Sequence, residues 1–495
     1  MTEFELKFEI PPARLKSVAT AVLEGKATRQ RLQASYFDTA DGALAAHGIV
    51  VRLRKEGRRW VQTAKGPTAE LQGRLEHNVA LSSQSAGIAP TLDLSHHCNT
   101  PVGKMIDKAL GLKVADVYPG MQLLYATDVQ RMTRLVTFNG SLVEVALDQG
   151  RVFADGSTQS ICELEVELKG GLPLDAVVLA RQWCASHGLW MSTIAKSMKG
   201  QRLRGKNSFS HATSALPPKY SRHASAHEMV TAVVATCLNQ ILPNMSELAG
   251  GSAHPDHIHQ MRVGIRRLRT ALRELADLTE AIDPQWEVAL VNAFRAVGGH
   301  RDQSNLALVL QPQLAAAGGP YVNFDNSVGN LADIGDTVHA PDFQDALLGL
   351  LGFVHREVTE EGDKPDSLKK TISLCLEKLH KRALRDGKKF LDLDEAQQHG
   401  VRKRLKRLRY VIEFAEPLFA TRKVSSMITA LKPVQDALGL YNDELMALHA
   451  WCALTEKDLN AWFGVGWLTA RKQRNAKQCL KEIKAFARIK PFWRG

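Results

Sequence analysis

Acidic and basic residues that alternate with apolar ones are the residues of this sequence best suited to chemistry. The acidic sets are Glu3, Glu5 and Glu9; Glu144 and Asp148; and Glu163, Glu165 and Glu167, and the basic ones include Lys7, Arg52 and Arg54. Because alternate residues of a β-strand face opposite sides, each set shares one face. Clustered carboxylates repel one another unless cations lie between them, and their oxygens select Mg²⁺ or Mn²⁺. The pattern predicts a divalent-metal site at which basic side chains contact the phosphates that such a metal bridges.

These residues lie in short segments with the period of two that is typical of β-strands. The segments are 3–10, 48–55, 59–64, 74–81, 141–148 and 161–168, and the helical patches 12–23 and 174–187 interrupt them. An ordinary sheet with one face in water would show the same alternation, but its recurrence on several strands favours an enclosed charged face. We therefore expect an antiparallel, strand-rich domain over residues 1–205, with Lys196 on its final strand. Residues 206–224, which contain Pro217-Pro218, are predicted to be a linker.

The second half of the sequence has apolar residues at spacings of three and four, which predicts an all-helical domain over residues 225–490. It also contains a repeat: His259-x-x-Arg262-x-x-x-Arg266-Arg267-Leu268-Arg269 matches His399-x-x-Arg402-x-x-x-Lys406-Arg407-Leu408-Arg409. Each copy is followed by a second shared motif, which spans 298–302 in one and 439–443 in the other. The domain is therefore predicted to be a duplicated helical bundle, with repeats at about 225–320 and 340–490.

The repeated helices each carry a basic stripe. At about 100° per residue one face of each helix collects the following residues: His259, Arg262, Arg266, Arg269 and Arg273 in the first copy, and His399, Arg402, Lys406 and Arg409 in the second. A solvated face is the ordinary reason for such a stripe, but residues 257–273 contain no acid that could pair within the helix. A row of guanidinium groups suits a long polyanion. Metal binding by the histidines, with Asp302 and Asp443, is a weaker alternative.

The composition limits the class of protein. A chain of 495 residues exceeds one ordinary core, so two or three domains are expected. The net charge of +12 is spread over both halves, with 25 basic and 20 acidic residues up to residue 205 and 39 and 32 after it. The seven scattered cysteines indicate neither a disulfide framework nor a zinc site. With no secretory signal and no apolar run of membrane-spanning length, a cytoplasmic protein without a membrane partner is expected. Nucleic-acid binding is disfavoured because the basic helices lack aromatic residues that could stack on bases.

Glu3-Phe-Glu-Leu-Lys7 resembles the Glu-x-Glu-x-Lys signature of the CYTH family, which comprises class IV adenylate cyclases, thiamine triphosphatases and inorganic triphosphatases. Further motifs follow in the order of that family: Tyr36-Phe-Asp-Thr39, Arg52-Leu-Arg54, Thr63-Ala-Lys65, Arg74-Leu-Glu76, Arg131, Glu144 with Asp148, the Glu163 to Glu167 segment, and Lys196-Ser-Met-Lys199. The second half is similar to the CHAD family of helical domains with conserved histidines, which often follow CYTH domains.

The CYTH resemblance implies an eight-stranded antiparallel tunnel, coated in charged side chains, that holds a linear triphosphate. The implied phosphate ligands are Lys7, Arg52, Arg54, Lys65, Arg74, Arg131, Arg134 and Lys196. The implied metal ligands are Glu3, Glu5, Asp148, Glu163 and Glu165. Lys7, Glu144 and Glu167 are expected to take part in catalysis, and Glu76 and Lys199 are also expected to face inward.

The two resemblances together predict an inorganic triphosphatase with Mg²⁺, or alternatively Mn²⁺, as cofactor and triphosphate as substrate. The CHAD resemblance predicts that the helical domain binds polyphosphate or phosphate through the basic stripes. Adenylate cyclase and thiamine triphosphatase activity remain alternatives, since they would use the same tunnel with an added pocket for a base or thiazole. A non-enzymatic polyphosphate-binding protein is a further alternative.

Overall fold

The chain divides into two compact units. The computed structural model describes residues 2–68, 70–81, 89–111, 120–205, 209–279, 282–300, 306–323, 332–356 and 365–494. The first unit contains residues 1–212, 245–252 and 339–355, and the second contains 213–244, 253–338 and 356–495. The first unit therefore includes two segments that lie far beyond residue 205, within the region predicted to be the helical domain.

A closed antiparallel barrel forms the centre of the first unit. Its strands are β1 (Thr2–Glu9), β2 (Ala27–Thr39), β3 (Val50–Glu56), β4 (Arg59–Pro67), β5 (Gly73–Leu81), β6 (Met121–Phe138), β7 (Ser141–Ala154) and β8 (Ser157–Gly170). They are paired in the order β5-β4-β3-β2-β6-β7-β8-β1, and β1 pairs again with β5 to close the barrel. The predicted eight-stranded barrel is confirmed. The strands β2 and β6 are longer than any predicted segment. They were hard to recognise in the sequence because polar residues on both of their faces hide the alternation of polar and apolar residues.

The apolar core of this unit lies outside the barrel wall. Phe4, Leu6 and Phe8 of β1 are buried on the face opposite to the charged residues. Five helices belong to this part of the chain: α1 (Leu15–Val22), α2 (Ala43–Ala46), α3 (Pro101–Leu110), α4 (Pro173–His187) and α5 (Lys196–Gly205). Helix α4 contacts β1 and β8, and α5 contacts β6, β7 and β8. The prediction of a final strand at Lys196 is wrong, since this residue begins α5.

The rest of the chain is helical, as predicted. Its helices are α6 (Ala226–Ala249), α7 (Pro255–Glu274), α8 (Pro284–Ala296), α9 (Gln311–Ala316), α10 (Ile334–His339), α11 (Pro341–Val354), α12 (Pro365–Gly387), α13 (Glu395–Phe414), α14 (Thr421–Leu454) and α15 (Ala461–Phe486). The repeated motifs begin on α7 and α13, which are both 20 residues long. Helix α14 contains an internal proline, Pro433, which is unusual for a helix. No helix in the described residues combines the length and apolar character that crossing a bilayer requires.

Helix α11 belongs to the first unit because its contacts lie there. Gly352 of α11 packs against Leu174 and Val177 of α4, with 3.4 Å between an added Cβ and the Leu174 side chain. The Arg181 Nη2 atom lies 2.6 Å from an Asp345 carboxylate oxygen. The predicted second repeat, 340–490, thus loses its first helix to the first unit.

The described part of the predicted linker, residues 209–224, contains no helix or strand but is held by specific contacts. In the second unit the Thr213 amide donates to the Asn244 side chain at 3.1 Å, and Asn244 Nδ2 donates back to the Thr213 carbonyl at 2.9 Å. The Tyr220 hydroxyl donates to the Phe414 carbonyl at 2.7 Å. This stretch is an ordered connection.

A chain of hydrogen bonds on the outer face of the barrel keeps His97 neutral. The Gln62 amide is fixed because Nε2 donates to the Asp93 carbonyl at 2.6 Å and Oε1 accepts from the Asp93 amide at 3.0 Å. Nε2 of Gln62 also lies 3.0 Å from Nε2 of the buried His97, which therefore accepts. The proton of His97 is then on Nδ1, which donates to Nδ1 of His77 at 2.9 Å.

We expect this arrangement to make the first unit less stable in mild acid. Burial, with further contributions from His77 and His96, lowers the pKa of His97 from 6.5 to about 4. A lowered pKa stabilises the folded state above pH 6.5, and this contribution, at most about 3 kcal/mol, is lost as the pH falls towards 4. The melting temperature of His97→Gln should therefore fall less steeply between pH 6.5 and pH 4 than that of the unchanged protein. The exposed His47→Gln should follow the unchanged protein, and equal slopes for all three would contradict the assignment.

Candidate functional site

A cavity of about 540 Å³ occupies the interior of the barrel. Its basic lining residues are Lys7, Arg52, Arg54, Lys65, Arg74, Arg131, Lys169 and Lys196, and its acidic ones are Glu3, Glu5, Glu56, Glu76, Glu144, Asp148, Glu165 and Glu167. Equal numbers of cations and carboxylates therefore face one space. Three of the predicted tunnel residues, Glu163, Arg134 and Lys199, are not among the lining residues. Lys199 pairs with Glu9 at 3.0 Å and with Glu163 at 3.4 Å.

The acidic cluster of Asp148, Glu163 and Glu165 lies at the wall of this cavity. All three side chains are buried, and one oxygen of each lies within 4.8 Å of the others. Lys196 Nζ contacts Glu163 and lies 2.7 Å from Asp148 and 2.6 Å from Glu165. The donors are all carboxylate oxygens, which is the set that a hard divalent cation such as Mg²⁺ prefers. The cluster therefore fits a metal that would compete with or displace Lys196.

The neighbouring cations lower the pKa values of Asp148 and Glu165. Burial alone would raise the pKa of Glu165, but Arg131, Lys196 and Lys7 outweigh burial and hold this pKa well below its usual range. Arg131 also binds Asp148 in bidentate fashion, with distances of 2.7 and 2.6 Å. Glu5 behaves in the opposite way, since burial and the nearby Glu165 raise its pKa.

A second acidic pair lies where β1, β4 and β5 meet. Lys65 Nζ contacts Glu3 and lies 3.3 Å from Glu76. Burial raises the pKa of Glu3, with Glu5 and Glu76 adding to the effect. Burial would also raise the pKa of Glu76, but Lys65 and a hydrogen bond from Glu3 lower it. The two pKa values are thus shifted in opposite directions, as is typical of two carboxyl groups that face each other beside one cation.

Two arginines of β3, Arg52 and Arg54, line the cavity wall, and Arg54 pairs with Glu56 on the same strand. The Arg52 Nε atom is buried and has no hydrogen-bond partner among the described residues. Burial and the neighbouring charges of Arg52 and Arg131 lower the pKa of Arg54. Burial would raise the pKa of Tyr36, but Arg52 outweighs it and the pKa is lowered. An anion bound here would relieve the repulsion and take up the free donor.

Lys169 is a site residue that the sequence reasoning missed. It lines the cavity, and its Nζ atom lies 2.6 Å from Glu167 and 3.4 Å from Glu144. The signal was present, because Lys169 continues the alternation of β8 by one more step beyond Glu167.

The inward position predicted for Arg134 is wrong. Residues 127, 129, 131 and 133 of β6 line the cavity, so an even-numbered residue points to the outside. Arg134 instead donates to the carbonyls of Ala21 and Glu24 at 2.9 and 3.2 Å, beside the end of α1. Its role is structural.

The inner face is not charged throughout, which corrects the expected continuous coat. Leu32, Ala34 and Val129 line the cavity. They belong to a buried apolar cluster with Tyr125, against which Leu203 of α5 packs. The charged region is therefore bounded by an apolar one.

Helix α5, which carries Lys196, packs very closely against β6. A Cβ atom at Gly200 would lie 2.2 Å from the Tyr125 ring. We expect the Gly200→Ala substitution to displace α5. A displacement of about 1 Å should reduce catalytic turnover by about a hundredfold. Gly466→Ala, on α15 with open space around it, is the control. Steady-state kinetics and thermal melts of both variants provide the test; normal turnover by Gly200→Ala would show that the position of α5 is unimportant.

The first basic stripe contacts α8. Arg262 donates to the Phe294 carbonyl at 2.8 Å, and its guanidinium lies 4.2 Å from the Phe294 ring centre. Arg266 and Arg269 lie 6.0 and 5.9 Å from the same ring centre. Arg269 and Arg273 both pair with Glu287. Residues 257–273 of α7 contain no acid, but an acid on the next helix neutralises part of the stripe.

The second stripe is also partly engaged. His399 Nδ1 lies 2.8 Å from the Asn442 side-chain oxygen, which joins the two motifs of the second copy. Arg409 donates to Glu413 at 2.7 Å and to Gln435 at 2.8 Å. The remaining residues of the stripes are half-buried: His259, Arg402 and Lys406. Among the described residues no metal-type cluster includes these histidines, and Asp302 lies outside the described residues.

The two basic helices bring cations together. Helices α7 and α13 are in contact. Burial and the charges of Arg407, Arg269, Arg273 and Arg295 lower the pKa of Lys403. We call these five residues the basic cluster. Lys403 and Arg407 are absent from the predicted stripes, and Arg295 lies on α8. The positive charge is thus concentrated where the two copies meet.

A closed barrel with a charged interior, followed by helices with a repeated basic motif, defines the class of protein. The family model of the CYTH domain matches residues 1–197, and that of the CHAD domain matches residues 232–451. The chain therefore consists of a CYTH domain followed by a CHAD domain.

Known proteins similar to this chain resemble one domain or the other. Over 177 residues it is 28% identical to an inorganic triphosphatase of Haemophilus influenzae, and this match spans 35% of the chain but only 46% of that relative. The crystal structure of a CHAD domain from Ricinus communis has 23% identity and a TM-score of 0.45, covering 57% of this chain and 98% of that one. The adenylyl cyclase candidate HpAC1 from Hippeastrum, described as having a dominant triphosphatase activity, has 18% identity and a TM-score of 0.30, covering 41% and 96%.

Proposed function

We propose that the first unit hydrolyses inorganic triphosphate to diphosphate and phosphate with Mg²⁺, or alternatively Mn²⁺, as cofactor. The observation that carries this proposal is the buried cluster of Asp148, Glu163 and Glu165 beside arginine and lysine side chains in one closed cavity. Similarity of residues in the CYTH domain to an inorganic triphosphatase supports it.

The charge balance of the cavity favours a substrate that brings cations with it. The eight basic lining residues are matched by eight carboxylates, so a triphosphate alone would add an excess of negative charge. Asp148, Glu163 and Glu165, with Glu5 near Glu165, would hold the metal. When bound, Mg²⁺ would neutralise phosphate oxygens and lower the barrier to phosphoryl transfer.

The protein's own groups bind and orient the substrate. Arg52, whose buried Nε atom has no hydrogen-bond partner among the described residues, offers a donor to the phosphates. Arg54, which pairs with Glu56, and Lys7, whose Nζ lies 4.0 Å from Glu163, add positive charge beside it. Glu144 and Glu167, held by Lys169, are placed to orient the attacking water. The new bond forms between the water oxygen and one terminal phosphorus, while the bridging bond to the central phosphate breaks and diphosphate leaves.

An inorganic substrate is favoured because Tyr36 is the one aromatic residue among those lining the cavity in the described chain. A second cavity of about 360 Å³ shares Val50 with the first. Both carboxylate oxygens of its Asp38 already accept hydrogen bonds from backbone amides, so they are not available to bind a ligand.

The test is to measure kcat/KM for triphosphate, ATP, thiamine triphosphate and long-chain polyphosphate with Mg²⁺. We expect triphosphate to be preferred, and cyclic AMP production from ATP would support the cyclase alternative instead.

For the CHAD domain we propose binding of inorganic polyphosphate or phosphate at the basic cluster and the stripes beside it. The five residues Lys403, Arg407, Arg269, Arg273 and Arg295 outnumber the two carboxylates that pair with them, Glu287 and Glu274, so a bound polyanion is favourable. A long chain could contact both copies at once, whereas orthophosphate could contact only one.

The double variant Arg273→Gln with Lys403→Gln should weaken polyphosphate binding by the full-length protein by about tenfold or more at low salt, with a smaller effect on orthophosphate. It should also lower the salt dependence, by about 0.7 per lost phosphate contact in the logarithmic slope. Titrations at two salt concentrations measure both effects. The double variant Lys381→Gln with Arg385→Gln removes the same charge from exposed positions on α12 and is the control. Equal binding by the two double variants would show that only net charge matters.

A further inference from the structure

Lys196 touches every carboxylate of the acidic cluster, yet the barrel itself holds the chain before it only weakly. The preceding strand, β9 (Trp190–Met191), has two residues and pairs only with β1. Residues 192–195 lie in neither a helix nor a strand. One further backbone bond joins the Ser192 amide to the Lys7 carbonyl at 2.9 Å. The position of Lys196 therefore depends on other contacts.

Side chains from much later in the sequence supply these contacts. The Met191 amide donates to the side-chain oxygen of the fully buried Gln344 at 2.9 Å. The Thr193 amide donates to Ser246 Oγ, also at 2.9 Å. Gln344 lies on α11 and Ser246 on the last turns of α6, and both belong to the first unit. The backbone amides of Met191 and Thr193, which precede Lys196, are thus fixed by residues that lie outside the barrel sequence.

An ion pair fixes the helix that Lys196 begins. Glu247, next to Ser246, contacts Arg202 of α5, and the Glu247 and Arg202 side chains are only 4% and 11% exposed. The second carboxylate oxygen of Glu247 is buried without a hydrogen-bond partner in the described residues. Removing one member of such a buried pair is costly because the other charge is left uncompensated. Glu247 therefore controls the placement of α5 through Arg202.

We infer that Ser246, Glu247 and Gln344 are positioning residues that place Lys196 in the acidic cluster, so that the proposed site is completed by segments from beyond the barrel. The placement of Lys196 is inferred from the observed contacts, whereas its consequence for turnover rests on the proposed function. Pro243 lies inside α6 just before Ser246, and the last turns of this helix belong to the first unit, whereas the preceding turns belong to the second.

The first test reads the position of Lys196 without any enzyme assay. The full-length protein and the variants Ser246→Ala and Glu247→Gln are treated briefly with an acylating reagent, and modification of Lys196 is measured by mass spectrometry. Both variants should modify several-fold faster than the unchanged protein. Glu377→Gln, which breaks another acid–arginine pair, with Arg494, is the control and should change nothing. Unchanged Lys196 reactivity in folded Ser246→Ala would overturn the inference, and this milder variant decides the question if Glu247→Gln does not fold.

The second test links position to turnover. Glu247→Gln should lower kcat for triphosphate by about tenfold or more. It should cause no further loss in a protein that already carries Lys196→Met, because both changes act through one residue. Additive losses would mean that Glu247 acts elsewhere. If the unchanged protein hydrolyses no triphosphate, the proposed function fails while the labelling experiment still decides the positioning.

Discussion

Glu165→Gln should reduce triphosphate hydrolysis by about a hundredfold or more, on the scale of losing one preorganised electrostatic partner in an active site. Glu165 contributes one of the three carboxylates of the acidic cluster and contacts both Arg131 and Lys196. Glutamine keeps the shape but removes the charge that a divalent cation needs. The measurement is turnover as a function of Mg²⁺ concentration, with a thermal melt to show that the variant folds.

Asp128→Asn is a matched control for Glu165→Gln. Asp128 also pairs with an arginine, Arg31, but on the exposed outer face of the barrel. It should keep normal turnover at every Mg²⁺ concentration. Wild-type turnover by Glu165→Gln at limiting Mg²⁺ would show that the acidic cluster is not the metal site.

A fragment that ends at residue 205 should fail to form a stable monomer. It lacks α11, whose buried residues include Phe343, Leu347, Leu348, Leu350 and Leu351, and thereby exposes the face of α4 that α11 covers. Each large apolar side chain contributes about 1.5–3 kcal/mol when buried, while a whole domain is stable by only about 5–15 kcal/mol. Light scattering and thermal melts of the purified fragment would detect aggregation and the loss of a cooperative transition.

The comparison for this truncation is a chain that keeps the missing segments. Residues 1–212 joined through a flexible linker to 339–355 should recover part of the lost stability, because the face of α4 is covered again. A monomeric 1–205 fragment with a cooperative melt would contradict the importance of α11.

Strand periodicity made much of the site predictable. Glu3, Glu5 and Lys7 could be placed on one face because the period of a strand is two, and the same count placed Arg52 and Arg54. The errors came where this count was not applied. Arg134 is three residues from the inward Arg131 and therefore faces outward, and Lys169 was missed although it continues the pattern of Glu167.

The remaining features depend on contacts between residues far apart in the sequence. The apolar residues of α11 predict a buried helix but carry no information about which unit buries it. The pairing of Arg269 and Arg273 with Glu287 likewise depends on the neighbouring helix α8. Lys196 was predicted as a site residue and lines the cavity, but the helix it begins and the side chains that hold it, such as Ser246, were not visible in its local sequence.

The central claim is that the charged cavity hydrolyses inorganic triphosphate with a divalent metal. ³¹P NMR of triphosphate incubated with the full-length protein and Mg²⁺ tests it most directly, because substrate and both products are observed separately. We predict equal amounts of diphosphate and orthophosphate, formation that stops when EDTA is added, and none with Glu165→Gln. Triphosphate that remains intact with Mg²⁺ or Mn²⁺, or hydrolysis that continues unchanged in EDTA, would contradict the account.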